Sequence, residues 1–91
     1  MYYVISYDIS DDKKRTKILK LLKNHGAHVQ FSVFECDISI ERLTKLVNTM
    51  KKTMNPLTDS IRIYSLCDRC KKEIKYAGNA ESFLVDSVII I

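Results

Sequence analysis

The sequence predicts an α+β fold in which two helices cover one face of an antiparallel β-sheet. Strand-like alternation and helix-like spacing of apolar residues follow one another in the order β-α-β-β-α-β, and one further apolar segment closes the chain. With 91 residues, the chain has no room for a second hydrophobic core, so residues 1–91 are expected to form a single domain. This order of elements predicts a ferredoxin-like sandwich with an additional C-terminal strand.

The first strand and helix are predicted from the N-terminal quarter of the chain. Residues 2–9 are rich in β-branched and aromatic side chains, which favour a strand. Ser10 is a suitable N-cap, because its hydroxyl can accept a hydrogen bond from a free N–H of the first helical turn. The helix is predicted over residues 12–25 and would end at Gly26. Its apolar stripe consists of Ile18, Leu19, Leu21 and Leu22.

Two short strands, or one strand with a bulge, are predicted between residues 27 and 38, because the apolar alternation changes phase after Ser32. Ser39 is the expected N-cap of the second helix, and Asn55-Pro56 is expected to end it. The apolar face of this helix consists of Ile40, Leu43, Leu46, Val47 and Met50.

The last third of the chain predicts two more strands, at residues 60–67 and 83–91, separated by a polar loop with a short turn or strand inside it. The tail from Val88 onward is wholly apolar and would promote aggregation as a free edge strand. In addition, the first strand carries apolar residues on both faces, whereas the helices cover only one. A homodimer that covers the helix-free face and pairs the tail would solve both problems.

Composition restricts the compartment and the partners. The formal charge of +4 favours an anionic partner. No signal peptide and no apolar run of membrane-spanning length is present, and three cysteines are an odd number for a disulfide framework. We therefore expect a cytoplasmic protein with reduced thiols and no membrane partner.

Asp8 is unusual because it lies inside a predicted strand, where aspartate is normally depleted. It would share the helix-free face with Tyr2, Val4 and Ser6. If that face meets a second copy, two Asp8 carboxylates converge and could hold one Mg²⁺ or Mn²⁺, which would activate water toward a phosphodiester. In the alternative interpretation, Asp8 accepts hydrogen bonds from backbone N–H groups at the strand-to-helix turn. The pattern itself leaves both interpretations open.

The first helix is strongly basic, with six cations within eleven residues. Arg15 could clamp a phosphate through its planar guanidinium, while Lys13, Lys14 and Lys17 could follow a nucleic-acid backbone. A lysine-rich helix is also compatible with an ordinary solvated face. Because the cluster adjoins Asp8, we favour nucleic-acid binding.

The remaining candidates are cysteines, histidines and aromatic residues. Cys67 and Cys70 have CxxC spacing, but no second CxxC completes a zinc site, and a thioredoxin-like redox pair would need a helix N-terminus after a strand in a different βαβ context. We therefore expect Cys67 to pack as a small apolar residue at a strand end. His25 and His28 are interpreted as surface or capping residues. Phe31 and Phe34 are interpreted as core or interface residues.

Three segments together resemble the small CRISPR-associated endoribonuclease family, the adaptation protein that partners the CRISPR integrase. They are Tyr7-Asp8-Ile9-x-Asp11-Asp12-x-x-Arg15, Gln30-Phe31-Ser32-Val33-Phe34-Glu35-Cys36 and Leu66-Cys67-x-x-Cys70. The resemblance extends over essentially the whole chain. It implies a ferredoxin-like homodimer in which the C-terminal strand completes the partner's sheet and Asp8 is the metal-binding aspartate at the interface.

The resemblance also implies function. Tyr7, Arg15 and Phe34 match positions associated with nuclease activity in some members, whereas Lys17 and His28 stand roughly where other members carry arginine. Lysine keeps the charge but loses bidentate geometry, which weakens the catalytic expectation more than the binding one. We expect a nucleic-acid-binding subunit of the spacer-acquisition machinery with Mg²⁺-dependent endonuclease activity on RNA or DNA. The alternatives are a non-catalytic DNA-binding scaffold for the integrase and a small metabolite-binding regulatory domain.

Overall fold

The computed structural model describes residues 1–77 and 88–89 and shows the predicted α+β architecture. The elements in chain order are β1 (Tyr2–Asp8), α1 (Asp12–Lys23), β2 (Ala27–Gln30), β3 (Val33–Asp37), α2 (Ile40–Thr53), β4 (Ser60–Leu66), α3 (Asp68–Lys72), β5 (Lys75–Tyr76) and β6 (Val88–Ile89). The four strands of the main sheet lie in the antiparallel order β2-β3-β1-β4, so β1 is flanked by β3 and β4.

The hydrophobic core lies between one face of this sheet and the helices α1 and α2. Most of the predicted stripe residues contribute to it, and the fully or nearly fully buried members include Tyr3, Ile5, Ile18, Leu22, Phe34, Cys36, Leu43, Leu46 and Met50. Ile40 was predicted on the buried face of α2 but is 58% exposed, because it is the first residue of the helix and lies outside the core cluster.

The helix ends follow the prediction in part. Ser39 caps α2 as expected and accepts a hydrogen bond from the Arg42 N–H. The predicted cap Ser10 is wrong: α1 is capped by Asp11, which accepts from the Lys14 N–H at 2.9 Å. The Ser10 N–H and hydroxyl both donate to Asp59 instead.

Gly26 lies two residues beyond the C-cap of α1, where the chain passes very close to β3. A Cβ at this position would come within 2.4 Å of the Glu35 carbonyl oxygen and 2.5 Å of Cys36 Sγ. Glycine is therefore needed for close packing against β3, whereas the sequence suggested only a helix stop.

The phase change near Ser32 is confirmed as a turn between two separate strands, with a register shift between His28 and Gln30. The polar segment after β4 contains the short helix α3 as well as β5, and this helix was not predicted. Of the predicted strand at residues 83–91, Val88–Ile89 forms β6 and pairs in parallel with β5 of the same chain. Its other residues lie outside those described, and pairing with a second copy stays a prediction.

Within residues 1–77 and 88–89, no long helix covers the opposite face of the sheet. This face presents Tyr2, Val4, Ser6 and Asp8 from β1, and the cross-strand neighbours of these residues in β4 are Leu66, Tyr64, Arg62 and Ser60. We call these eight residues the open face. Its Tyr2 end is covered by α3, whose Lys71 Nζ lies 5.5 Å from the Tyr2 ring centroid, and its Asp8 end is exposed. Among the described residues, no helix has the length and apolar character needed to cross a bilayer.

Candidate nucleic-acid and metal site

Asp8 is the last residue of β1 and lies exposed on the open face, directly across from Ser60. Within the described part of the chain, its carboxylate forms no hydrogen bond or ion pair. The interpretation in which Asp8 caps the strand-to-helix turn is therefore wrong for this chain. A solvent-facing carboxylate without an internal partner is available to bind a cation.

Asp59 performs the structural task that had been considered for Asp8. It is 8% exposed, and its Oδ1 accepts hydrogen bonds from the Ser10 N–H at 3.1 Å and the Ser10 hydroxyl at 3.0 Å. Its Oδ2 accepts from the Asn55 N–H at 2.8 Å. The backbone hydrogen bonds from Asn55 and Ser10 lower the pKa of Asp59 to about 2. Asp59 thus joins the loop after Asp8 to the start of β4.

Sequence reasoning missed Asp59 because its main contact, Ser10, is 49 residues away. It also gave Arg62 no function, although the alternation in β4 already set Arg62 apart from the partly buried isoleucines Ile61 and Ile63. Arg62 pairs across the strands with Ser6, so it is a diagonal neighbour of Asp8 on the open face. It is exposed and has no ion-pair partner among the residues that the structure describes. An arginine there can bind a phosphate beside Asp8.

Tyr7 and Phe34 lie on the other side of the sheet, in the layer covered by the helices. They are 4% and 0% exposed, and their ring centroids are 6.4 Å apart. The His28 ring stacks on Phe34 at 4.7 Å between centroids. Burial raises the pKa of Tyr7, and the nearby Arg15 charge opposes this rise. One chain therefore does not bring Tyr7 or Phe34 to the Asp8 carboxylate, and their catalytic roles stay predictions.

Arg15 already has two partners near the start of α1. It forms an ion pair with Asp12, and its Nη1 donates to the Ile9 carbonyl at 3.2 Å. These contacts tie the first turn of α1 to the end of β1. Lys13 and Lys17 are exposed, Lys14 is half-buried, and none of the three forms an ion pair with a described residue. The lysines are accordingly the cations of α1 that are free to meet a nucleic acid.

The donor chemistry at Asp8 fits a hard divalent cation, but one chain supplies little of the coordination. No group of three or more potential ligands among His, Cys, Asp and Glu occurs in residues 1–77 and 88–89. Mg²⁺ is commonly held by one or two carboxylates and keeps several waters. A metal bound by Asp8 would therefore need waters or the carboxylate of a second copy.

The cysteine and histidine predictions have mixed outcomes. Cys67 is exposed rather than packed at the strand end, and it is the N-cap of α3. Cys36 is buried, and burial raises the pKa of its thiol to about 11. His25 is a half-buried partner of Arg42, 2.9 Å away, and its pKa is lowered by burial and then by that charge. Phe31 is 81% exposed and does not belong to the core.

Comparison with known proteins identifies the family. Residues 1–74 match the family model described as CRISPR associated protein Cas2. The chain belongs to the Cas2 family. A relative from Chloroflexus aurantiacus, named CRISPR-associated endoribonuclease Cas2 1, is 41% identical over 80 residues, covering 87% of this chain and 86% of the relative. The CRISPR-associated endoribonuclease Cas2 2 of Methanospirillum hungatei is 38% identical over 86 residues, covering 94% and 96%.

Solved structures agree with this membership and with the ferredoxin-like fold that was predicted. A crystal structure of a hypothetical protein from Thermus thermophilus superimposes with a TM-score of 0.80 at 32% identity, covering 89% of this chain and 94% of that one. Streptococcus pyogenes Cas2 gives a TM-score of 0.69 at 29% identity, covering 74% and 87%. A chain of a partial Cas6-RT-Cas1–Cas2 complex gives 0.64 at 27% identity, covering 96% and 92%.

Proposed function

We propose that this Cas2-family chain is the Cas2 subunit of a Cas1–Cas2 spacer-acquisition complex, binds nucleic acid as a homodimer, and cleaves phosphodiester bonds with a divalent metal at Asp8. One observation carries the catalytic part. Asp8 is an exposed carboxylate diagonal to Arg62, on a sheet face where the described residues provide neither a partner for it nor a long helix. The relatives named endoribonuclease support the same reaction class.

A homodimer would cover the exposed residues at the centre of the open face. Val4 and Ser6 are only half-buried and Tyr64 is 50% exposed, so an apolar and aromatic patch remains beside Asp8. A symmetric contact through this patch would remove it from water and would bring two Asp8 side chains toward the two-fold axis. Two converging carboxylates repel one another unless a cation lies between them.

In this proposal each side chain has a separate task. Asp8 from each copy would hold one shared Mg²⁺ or Mn²⁺. Arg62 would bind a non-bridging phosphate oxygen through its guanidinium and so orient the phosphodiester. The metal, when bound, supplies Lewis-acid polarisation of the phosphoryl group and a water of lowered pKa. Asp59 acts indirectly, because it holds the two loops that border Asp8.

A cleavage assay with purified protein tests the catalytic role. We expect Asp8→Asn to reduce cleavage of RNA or DNA in Mg²⁺ or Mn²⁺ by at least about a hundredfold, because the amide loses the charge that holds the metal. Asp37→Asn is the matched control. It removes an exposed carboxylate from the same face next to Tyr2, about 20 Å from Asp8 along β1, and should retain the wild-type rate.

A non-catalytic scaffold is the second candidate, and the free lysines of α1 favour it. Lys13, Lys14 and Lys17 offer charge for a nucleic-acid backbone without any catalytic geometry. The structural neighbour solved in a complex with Cas1 supports a role as a partner of the integrase. Equal cleavage rates for wild type and Asp8→Asn, with chelator-insensitive activity, would leave the scaffold as the function of this chain.

A further inference from the structure

The Cys67–Cys70 pair has no task in the proposed nuclease or scaffold. Cys67 directly follows β4 and caps α3, and Cys70 is the third residue of that helix. Both side chains are exposed. The Cys70 N–H donates to Cys67 Sγ at 3.4 Å. The pair thus lies at the start of a short helix that follows a strand, although α3 connects strands of two different sheets and so lacks the βαβ context expected of a thioredoxin-like pair.

The backbone geometry is suited to a bond between these two sulfurs. An N-cap residue and the residue three positions later lie about 5 to 6 Å apart at their Cα atoms, which is within the range of protein disulfides. The third cysteine, Cys36, is buried beneath the helices and has no access to an external reagent. The exposed pair is therefore chemically distinct from Cys36.

The two thiols are also distinct from each other. Hydrogen bonds from the backbone and side chain of Cys70 lower the pKa of Cys67. The hydrogen bond that Cys70 donates, together with the charge of the Cys67 thiolate, raises the pKa of Cys70. The N–H donated to its sulfur makes Cys67 the better attacking thiolate of the two.

We propose that Cys67 and Cys70 are a redox modification site. By exchange with a low-molecular-weight disulfide such as oxidised glutathione, the two cysteines form a reversible disulfide with each other. The Cys67 thiolate attacks one sulfur of the reagent, its S–S bond breaks, and one glutathione thiolate leaves. Cys70 then loses its proton and attacks Cys67 Sγ, which expels the second glutathione thiolate. Both protein protons end on the two glutathione molecules released, and the two electrons lost by the cysteines reduce the reagent.

This site is separate from the proposed nuclease site. Cys67 and Cys70 lie at the end of the sheet occupied by Tyr2, which is six residues from Asp8 and so about 20 Å away along β1. The redox proposal can therefore fail or succeed independently of catalysis at Asp8.

In the test, the full chain is first reduced and then incubated with oxidised glutathione. The remaining free thiols are trapped with maleimide, and the masses of the products are measured by mass spectrometry. Wild type and the matched control Cys36→Ser should both form one internal disulfide without retained glutathione. Cys70→Ser should stop at a glutathione adduct on Cys67. Cys67→Ser should react with glutathione several-fold more slowly than Cys70→Ser, because in Cys70→Ser the backbone N–H of residue 70 still donates to Cys67 Sγ and favours its thiolate.

Three outcomes would overturn the proposal. The first is accumulation of glutathione adducts on wild-type protein without ring closure. The second is equal reactivity of Cys67→Ser and Cys70→Ser. The third is a zinc ion, measured by metal analysis of the purified protein, that protects both cysteines from the reagent until it is chelated.

Discussion

Asp59 is the residue whose role depends most on long-range contact. Its carboxylate accepts hydrogen bonds from Ser10 and Asn55, and these contacts lower its pKa to about 2 from an ordinary value of 3.8. Because the folded-state pKa is lowered, Asp59 stabilises the fold at pH values above its ordinary pKa. This stabilisation is lost as the pH falls from about 4 toward 2.

We predict that Asp59→Asn lowers the melting temperature at pH 7 by several degrees, since the amide replaces one oxygen acceptor by a donor that faces N–H groups. The difference from wild type should shrink as the pH is lowered from about 4 toward 2. Melting curves followed by circular dichroism across this pH range would measure both effects. Asp37→Asn, which removes an exposed carboxylate, is the control. A pH-independent difference would contradict the assigned role of the Asp59 charge.

Residues recognised by type alone were predicted with mixed success. Asp8 was identified because aspartate is out of place in a strand; it is exposed and has no partner in the part of the chain that the structure describes, and its binding role stays a prediction. Cys67 was misjudged, since its exposure depends on the short helix α3, which the sequence did not reveal. Arg62 needed the pairing of β1 with β4 before its position beside Asp8 became visible.

At the scale of elements, α1 is the principal candidate for contact with nucleic acid. It has exposed or half-buried lysines at 13, 14 and 17 that form no ion pairs with described residues, while Arg15 is held by Asp12 and Ile9. Lysines on a helix surface contact phosphates without reading bases, so binding through α1 should be insensitive to sequence and strongly dependent on salt.

We predict that reversing Lys13, Lys14 and Lys17 to glutamate weakens duplex DNA binding by at least tenfold at low salt. The slope of log affinity against log salt should also become shallower by up to about 3, because three phosphate contacts are lost. Fluorescence anisotropy between low and moderate salt measures both quantities. The matched control reverses the exposed α2 residues Lys45, Lys51 and Lys52. Equal losses in the two triple variants would count against a specific role for α1.

Long, strongly periodic elements were predicted well, and short or polar ones were not. The apolar spacing of α2 and the cap at Ser39 placed that helix closely. In contrast, α3 has five residues and no apolar stripe, so it provides no periodic signal. At the end of α1 the sequence predicted only that Gly26 stops the helix. Glycine is needed there because β3 lies too close to allow a Cβ, and this contact is not visible in the local sequence.

For the whole molecule, the open face governs assembly. The chain itself covers the Tyr2 end through Lys71 of α3, which the sequence did not predict. The half-buried Val4 and the exposed Tyr64 remain at its centre. The proposed homodimer is expected to use this centre rather than the whole face.

We predict that Tyr64→Lys raises the dissociation constant of the homodimer by at least about tenfold, because a charge replaces an aromatic side chain at the interface centre. Analytical ultracentrifugation over a concentration series would detect the shift toward monomer. Leu57→Lys is the control, since Leu57 is 91% exposed in the loop between α2 and β4. A monomeric wild type, or equal effects of the two substitutions, would exclude dimerisation through the open face.

The α+β class, the order of the main elements, the two-helix layer and the choice of Asp8 as a candidate were all predictable from the sequence. These depend on apolar periodicity and residue type, which are local properties of the chain. The folded sheet sets which residues surround Asp8. It placed Arg62 beside it and Asp59 beneath the neighbouring loops, with Tyr7 and Phe34 on the opposite face. These relations depend on strand register and on contacts between residues far apart in sequence, and such contacts form only when the sheet assembles.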